Sequence, residues 1–260
     1  MTGRDGPHVA IAGISSALGA ALADILLRED GVSVSGSLRT SNDRVCALRE
    51  MADPTRLELL TANLRDASER ERFIDAAQRT AGEREAVLVY CGGRWLCGRL
   101  DDTELDDIEE VVEIGFTAPA DLFRRFLRAR RDASAPSRIV MVTGLGGERA
   151  GVGYSSIYGS ITGAAYNLVR SLGCELAGTP NTCTAVVPGL FDKGQPYIHA
   201  LCARLETARP TPLDEVAQLL ATVVLMHGTA LNGSVIEAGG GMFNYHDAAR
   251  ILAREGGASA

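Results

Sequence analysis

VAIAGISSALGAALADILL, Val9 to Leu27, is the stretch that decides the fold. Its opening residues are an apolar, partly β-branched run of strand length. Gly13 interrupts that run, and from Ala17 onward small and apolar residues continue as a helix would need them. Gly13 and Gly19, with the small Ala17 between them, let the backbone turn tightly and approach a pyrophosphate, whose charge would rest against the exposed N–H groups that open the helix. Ser15 and Ser16 add hydroxyl donors. The same glycines also serve a plain strand-helix contact, and it is the position directly after a first strand that favours a nucleotide.

Working outward, the pattern repeats to the end of the chain. VSVSG is followed by a polar helix, LELLTANL by DASERERFIDAAQ, and AVLVYCGG by LDDIEEVVEIGFTAPADLFRRFL. RIVMVTG, SSIYGSITGAAYNLVRSLGCEL, CTAVVPG, PLDEVAQLLATVVLM and SVIEAGGG continue it. Strand-helix alternation implies a parallel sheet covered on both faces by right-handed crossovers, a doubly wound α/β fold. No repeat or low-complexity linker divides residues 1–260, so a single domain is expected. The irregular stretch Leu190 to Pro212 leaves the carboxyl end of a strand, the edge where open α/β sheets bind ligands, and is expected to form a substrate lid.

Composition narrows the partners. With 46% hydrophobic and 23% charged residues the chain can bury one substantial core, and its formal charge of −7 repels nucleic acid. The arginines of RRFLRARR (Arg124 to Arg131) fall at helical spacing beside Phe123, Phe126 and Leu127, which predicts the wet face of an amphipathic helix. No apolar run reaches the ~18 residues of a membrane span. MTGRDGPH lacks the regions of a signal peptide, so a cytoplasmic location is expected. Cysteines 46, 91, 97, 174, 183 and 202 form no C-x-x-C pair and the histidines are scattered, so no metal site is expected. Lys193 is the single lysine of the chain.

The chain resembles the short-chain dehydrogenase/reductase superfamily over nearly its whole length. The family's T-G-x-x-x-G-x-G loop is similar to Ala12-Gly13-Ile14-Ser15-Ser16-Ala17-Leu18-Gly19, with alanine for the threonine and for the middle glycine. Its N-N-A-G segment is similar to Tyr90-Cys91-Gly92-Gly93, its proline-glycine to Pro188-Gly189, and its terminal D-G-G to Ala238-Gly239-Gly240. The resemblance implies a Rossmann fold whose cofactor contacts are Gly13, Ser15, Ser16, Leu18, Gly19, Cys91, Gly92, Gly93, Thr162, Pro188, Gly189 and Leu190, with Asn63 and Leu64 near adenine. VSVSGSLRTS ends without the acidic residue that NAD-preferring members use for the ribose 2′-hydroxyl, and offers Ser37 and Arg39 instead. A guanidinium fork suits the 2′-phosphate of NADPH, with NADH remaining open.

The family's active site is an asparagine, a serine, a tyrosine and a lysine. YGSITGAAYNLVRSL resembles the family's tyrosine helix at both ends, which makes Tyr158 the tyrosine and puts Thr162 at the lysine position. The serine position falls on Gly144, with Thr143 the nearest hydroxyl, and the asparagine position on Gly115. That lysine normally lowers the tyrosine's pKa from about 10 and holds the ribose hydroxyls, and threonine cannot supply the charge. Hydride transfer rests mostly on positioning, so a reductase is still expected, with Tyr158 or Thr143 as candidate catalytic residues. Its expected partner is a small-molecule ketone that is intrinsically activated. The arginine- and alanine-rich composition resembles proteins of high-GC bacteria in which family members tailor aromatic polyketides, including angucyclinone-type compounds. A dinucleotide-binding protein without chemistry, or a dehydratase or cyclase on the same scaffold, stands as the alternative.

Overall fold

The computed structural model describes residues 6–145, 153–193 and 210–239. Among them run β1 (His8–Ala12), α1 (Ala17–Arg28), β2 (Ser33–Leu38), α2 (Asp43–Met51), β3 (Leu57–Thr61), α3 (Ala67–Ala81) and β4 (Ala86–Tyr90). The second half adds α4 (Leu105–Val112), a π-helical turn (Glu113–Thr117), α5 (Ala118–Ala129), β5 (Ser137–Val142), α6 (Ser156–Glu175), β6 (Thr182–Pro188), α7 (Leu213–Leu225) and β7 (Val235–Ala238). The strands form one seven-stranded sheet in the order β3-β2-β1-β4-β5-β6-β7, every neighbouring pair parallel. The doubly wound expectation therefore holds.

Period-two alternation explains why the central strands read as unbroken apolar runs. Val9 and Ile11 of β1 face a core shared with α1 and α7, while Ala10 and Ala12 face another shared with α3, α5 and α6. Between β1 and β4 the chain reverses its direction of travel across the sheet, and the carboxyl ends of these strands open the crevice that a ligand can enter. At the opposite end, buried His8 bridges the hydroxyls of Ser33 and Ser35 on β2, at 2.9 and 3.0 Å.

The arginine-rich helix α5 is amphipathic, with Phe123 and Phe126 inward and Arg124, Arg128 and the following Arg131 exposed. Arg130 departs from the expected wet face. It is buried, and its guanidinium donates to Ser137 and to the carbonyls of Gly82 and Arg84, tying the end of α5 to the β4 entry. Arg70 works similarly in front of the sheet, donating to Leu64 O, Glu113 and Asp121 and so fixing the π turn against α3 and α5.

Most of the expected lid, residues 194–209, lies outside the described residues. Its base is placed: Phe191 and Thr211 form a parallel bridge, Asp192 N donates to Thr211 O at 2.9 Å, and Thr211 N donates to Leu190 O at 3.0 Å.

Candidate active site

The glycine turn is built from its own backbone. Gly13 sits at φ 91°, in the left-handed region that favours glycine, and donates its N–H to Ser37 Oγ at 3.1 Å. Ile14 N donates to Ser37 O at 3.0 Å, and Ser16 caps α1 by accepting from Gly19 N at 3.0 Å. A Cβ on Gly19 would stand 2.5 Å from Gly13 O and 3.1 Å from Ile14 Cα, so only glycine lets the helix rest on the turn. Ser15 O accepts from Asn42 Nδ2 at 2.9 Å, which carries the support into the loop after β2.

Ser37 supports this turn. Its side chain is buried and its oxygen accepts from Gly13 N, so it shapes the turn from behind. Arg39, beyond the end of β2, is exposed. Asn63 is exposed as well, with its side-chain oxygen accepting from Arg65 N at 3.2 Å. Leu64 packs partly against the core, and neither it nor Asn63 or Arg39 lines the central cleft.

That cleft, of about 280 Å³, is where most of the other expected residues meet, although Gly13, Ser15 and Gly19 do not line it. Ser16, Ala17 and Leu18 contribute the start of α1, and Cys91, Gly92 and Gly93 the exit of β4. Thr143 and Gly144 follow β5, Tyr158 and Thr162 come from α6, and Pro188 to Leu190 leave β6. Gly189 must be glycine because its Cβ would lie 2.7 Å from Gly239 O, the tight contact that explains the two glycine-bearing segments.

The wall that carries Tyr158 is built differently. A side chain added at Gly144 would fall on the hydroxyl of Tyr158, and one added at Gly115 would collide with Cγ2 of Ile161. Gly115 lies in the π turn, a widened helical turn of the kind that gathers at functional sites, and the preceding carbonyl of Ile114 accepts from Tyr90 Oη at 2.5 Å. Tyr166 Oη donates to Gly144 O at 2.9 Å, holding the strand exit under Tyr158. Thr162 is buried and its hydroxyl donates to Gly159 O at 3.1 Å, so toward a ribose it keeps only acceptor capacity. Burial, reinforced by nearby Cys97, pushes the Tyr158 phenol above its ordinary range, so the group stays a neutral phenol. Burial likewise pushes the thiols of Cys91 and Cys97 up to about 12, which leaves both as neutral lining.

Sequence reasoning missed Arg94, Trp95, Ile161 and Phe191 as lining residues, and set Lys193 apart in the lid region. The signal for Arg94 and Trp95 was their place directly beyond the glycines at a strand's carboxyl end. Arg94 pairs with Asp107 at 2.5 Å and with Glu110. Lys193 reaches the same cleft as Tyr158 and Thr162, with Nζ 5.5 Å from the centre of the Phe191 ring. No carboxylate lines the cleft among the described residues, and no group of three or more potential metal ligands occurs among them. No described helix is long and apolar enough to cross a membrane.

Comparison with known proteins agrees with this geometry. The pattern of the short chain dehydrogenase family matches residues 7–195. Dehydrogenase OXI1 of Cochliobolus heterostrophus is 23% identical over 208 residues, covering 75% of this chain and 88% of that protein. An uncharacterised oxidoreductase of Staphylococcus aureus is 21% identical over 182 residues, 70% of this chain and 77% of its own. Among solved structures, a variant of actinorhodin polyketide ketoreductase with NADPH superposes at TM-score 0.81 with 24% identity, covering 94% of this chain and all 100% of that one. A short chain dehydrogenase of Burkholderia cenocepacia in complex with NADP superposes at 0.78, again with 24% identity, over 92% and 99% of the two chains.

Proposed function

The chain belongs to the short-chain dehydrogenase family of oxidoreductases, and from that premise we propose that it is an NADPH-dependent ketoreductase working without a Tyr-Lys proton relay. The observation that carries this reading is Tyr158. Its protonated hydroxyl fills the place of a side chain at Gly144, in the wall of a cleft that also receives the start of α1. The residues present fit a dinucleotide: Ala17 and Leu18, at the N-terminal end of α1 where helix N–H groups lack intrahelical acceptors, line the cleft with Ser16, no carboxylate among the described residues opposes a phosphate there, and Gly93 leaves open space where a Cβ would stand. Arg39 suits a 2′-phosphate.

When bound, NADPH supplies the hydride. The chain's own work is to hold the ketone against the cofactor face, exclude water with Trp95, Val111 and Ile161, and donate the Tyr158 proton to the forming alkoxide. With no ammonium on α6 to acidify it, the phenol is a weak acid, which favours a ketone whose oxygen already accepts a hydrogen bond from an adjacent phenol. An aromatic polyketide meets that description, and one structural neighbour is named for reducing a polyketide.

A second reading, a dinucleotide-binding protein without turnover, draws on the closure of Ile161 over Gly115 and the inward-turned Thr162 hydroxyl. Incubation with NADPH and a panel of 2-hydroxyaryl ketones separates the two. Oxidation of NADPH is expected, with Tyr158→Phe lowering kcat by less than the ~10²–10⁴-fold typical of a general acid. NADPH bound without oxidation supports the second reading, and product formed without oxidation supports a dehydratase or cyclase.

A further inference from the structure

The dinucleotide reading leaves one charge unexplained. A diphosphate carries two negative charges, yet Ala12 to Ala20, the whole glycine turn and the first residues of α1, contains no ionisable side chain. Much of the turn's donor capacity also points inward: the N–H groups of Gly13, Ile14, Ser16 and Gly19 are all used within the turn and its β2 support. Of the two cations among the described residues that line the cleft, Arg94 is already paired with Asp107 and Glu110. The other is Lys193.

On that dinucleotide reading, we infer that Lys193 is the counter-charge of the cleft, holding the cofactor's diphosphate against the start of α1. Its place favours this end of the cleft. Phe191, over whose ring the ammonium stands, packs against the core face that carries α1. The backbone leading to Lys193 is pinned on both sides: Gly189 N donates to Ala238 O at 3.1 Å, and Leu190 and Asp192 bond to Thr211. Burial lowers the lysine's pKa, a sign that its ammonium has lost solvation which the aromatic face restores only in part. An oxyanion restores the rest.

The test is calorimetric titration of NADPH, NADH and ADP-ribose into the wild-type chain, Lys193→Met, Lys193→Arg and Arg39→Ala. Lys193→Met should weaken all three ligands alike, by roughly 10- to 100-fold, the span of a charge-assisted hydrogen bond to phosphate. Lys193→Arg keeps the charge and should stay within about threefold of wild type, allowing for the different donor geometry. Arg39→Ala should weaken NADPH alone. If Lys193→Met binds all three as wild type does, or loses only the nicotinamide-bearing pair, the assignment is overturned while the dinucleotide reading stands. Equal losses in Lys193→Met and Lys193→Arg would mean that packing on Phe191 matters and charge does not, which also overturns it. A wild-type chain that binds none of the three overturns both.

Discussion

The two halves of the cleft use glycine for opposite purposes. In the turn after β1, glycine lets backbone approach backbone: Gly13 takes a left-handed φ and Gly19 meets the Gly13 carbonyl. On the wall formed by β5, the π turn and α6, glycine makes room for side chains of the same molecule, Tyr158 above Gly144 and Ile161 above Gly115. A backbone contact cannot yield without unfolding its surroundings, whereas a side chain can swing to another rotamer. The first half is therefore a rigid cradle. The second is a surface whose chemistry one residue change can redirect.

The largest effect should come from striking the cradle. Gly19→Ala drives a Cβ into the Gly13 carbonyl and the capping oxygen of Ser16, and is expected to cost about 2–4 kcal/mol of stability, in the range of severe overpacking. Urea denaturation measures the loss, and calorimetry should show NADPH binding abolished. Stability within about 0.5 kcal/mol of wild type, the usual spread of neutral surface changes, would make the two kinds of glycine equivalent.

Acid should separate the halves next. Burial, then the positive charges of Arg84 and Arg130, lowers the His8 pKa to about 4, against an ordinary value of 6.5. The folded chain thus binds fewer protons than the unfolded one between these values. The contribution is complete above about pH 6.5 and is lost as pH falls toward 4, up to roughly 3 kcal/mol, all of it in the β1–β2 pair that carries the turn. Denaturation midpoints measured from neutral to acid pH should fall along that window, and His8→Gln should flatten the slope. An unchanged slope in His8→Gln would assign the acid sensitivity elsewhere.

The smallest effect should appear on the catalytic wall. Gly144→Ser displaces the Tyr158 hydroxyl, and a proton donor moved by this much is expected to lower kcat by about 10- to 100-fold with NADPH affinity held. Steady-state kinetics on any ketone that the wild type reduces checks both parts. A parallel loss of NADPH affinity would show that the two halves are mechanically coupled.

Much of this was legible in the sequence, because the relevant signals are local. Strand-helix alternation fixes a parallel sheet through the steric preference of its crossovers, and a glycine after the first strand marks the turn wherever the remainder packs. Tyr158 and the residues leaving β4 and β6 could be placed by their position at strand ends and helix starts. The support Ser37 gives the turn could not be read there: its hydroxyl is visible in the sequence, but the N–H that it accepts from is that of Gly13, 24 residues away in the turn after β1. Arg130 resembled its exposed neighbours until the β4 entry supplied carbonyls to cap.

What the sequence by itself determined is the sheet, the cradle and the absence of side chains at Gly115 and Gly144. What only the tertiary structure decided is how those absences are filled and which charge faces the cleft. Filling a void and pairing a charge depend on distances between segments far apart in the chain, and no local pattern encodes those distances. Lys193 shows this most clearly: in the sequence it lies in the irregular stretch after β6, outside any active-site pattern, and the crossing of β6 beside β5 brings it into the cleft with Tyr158.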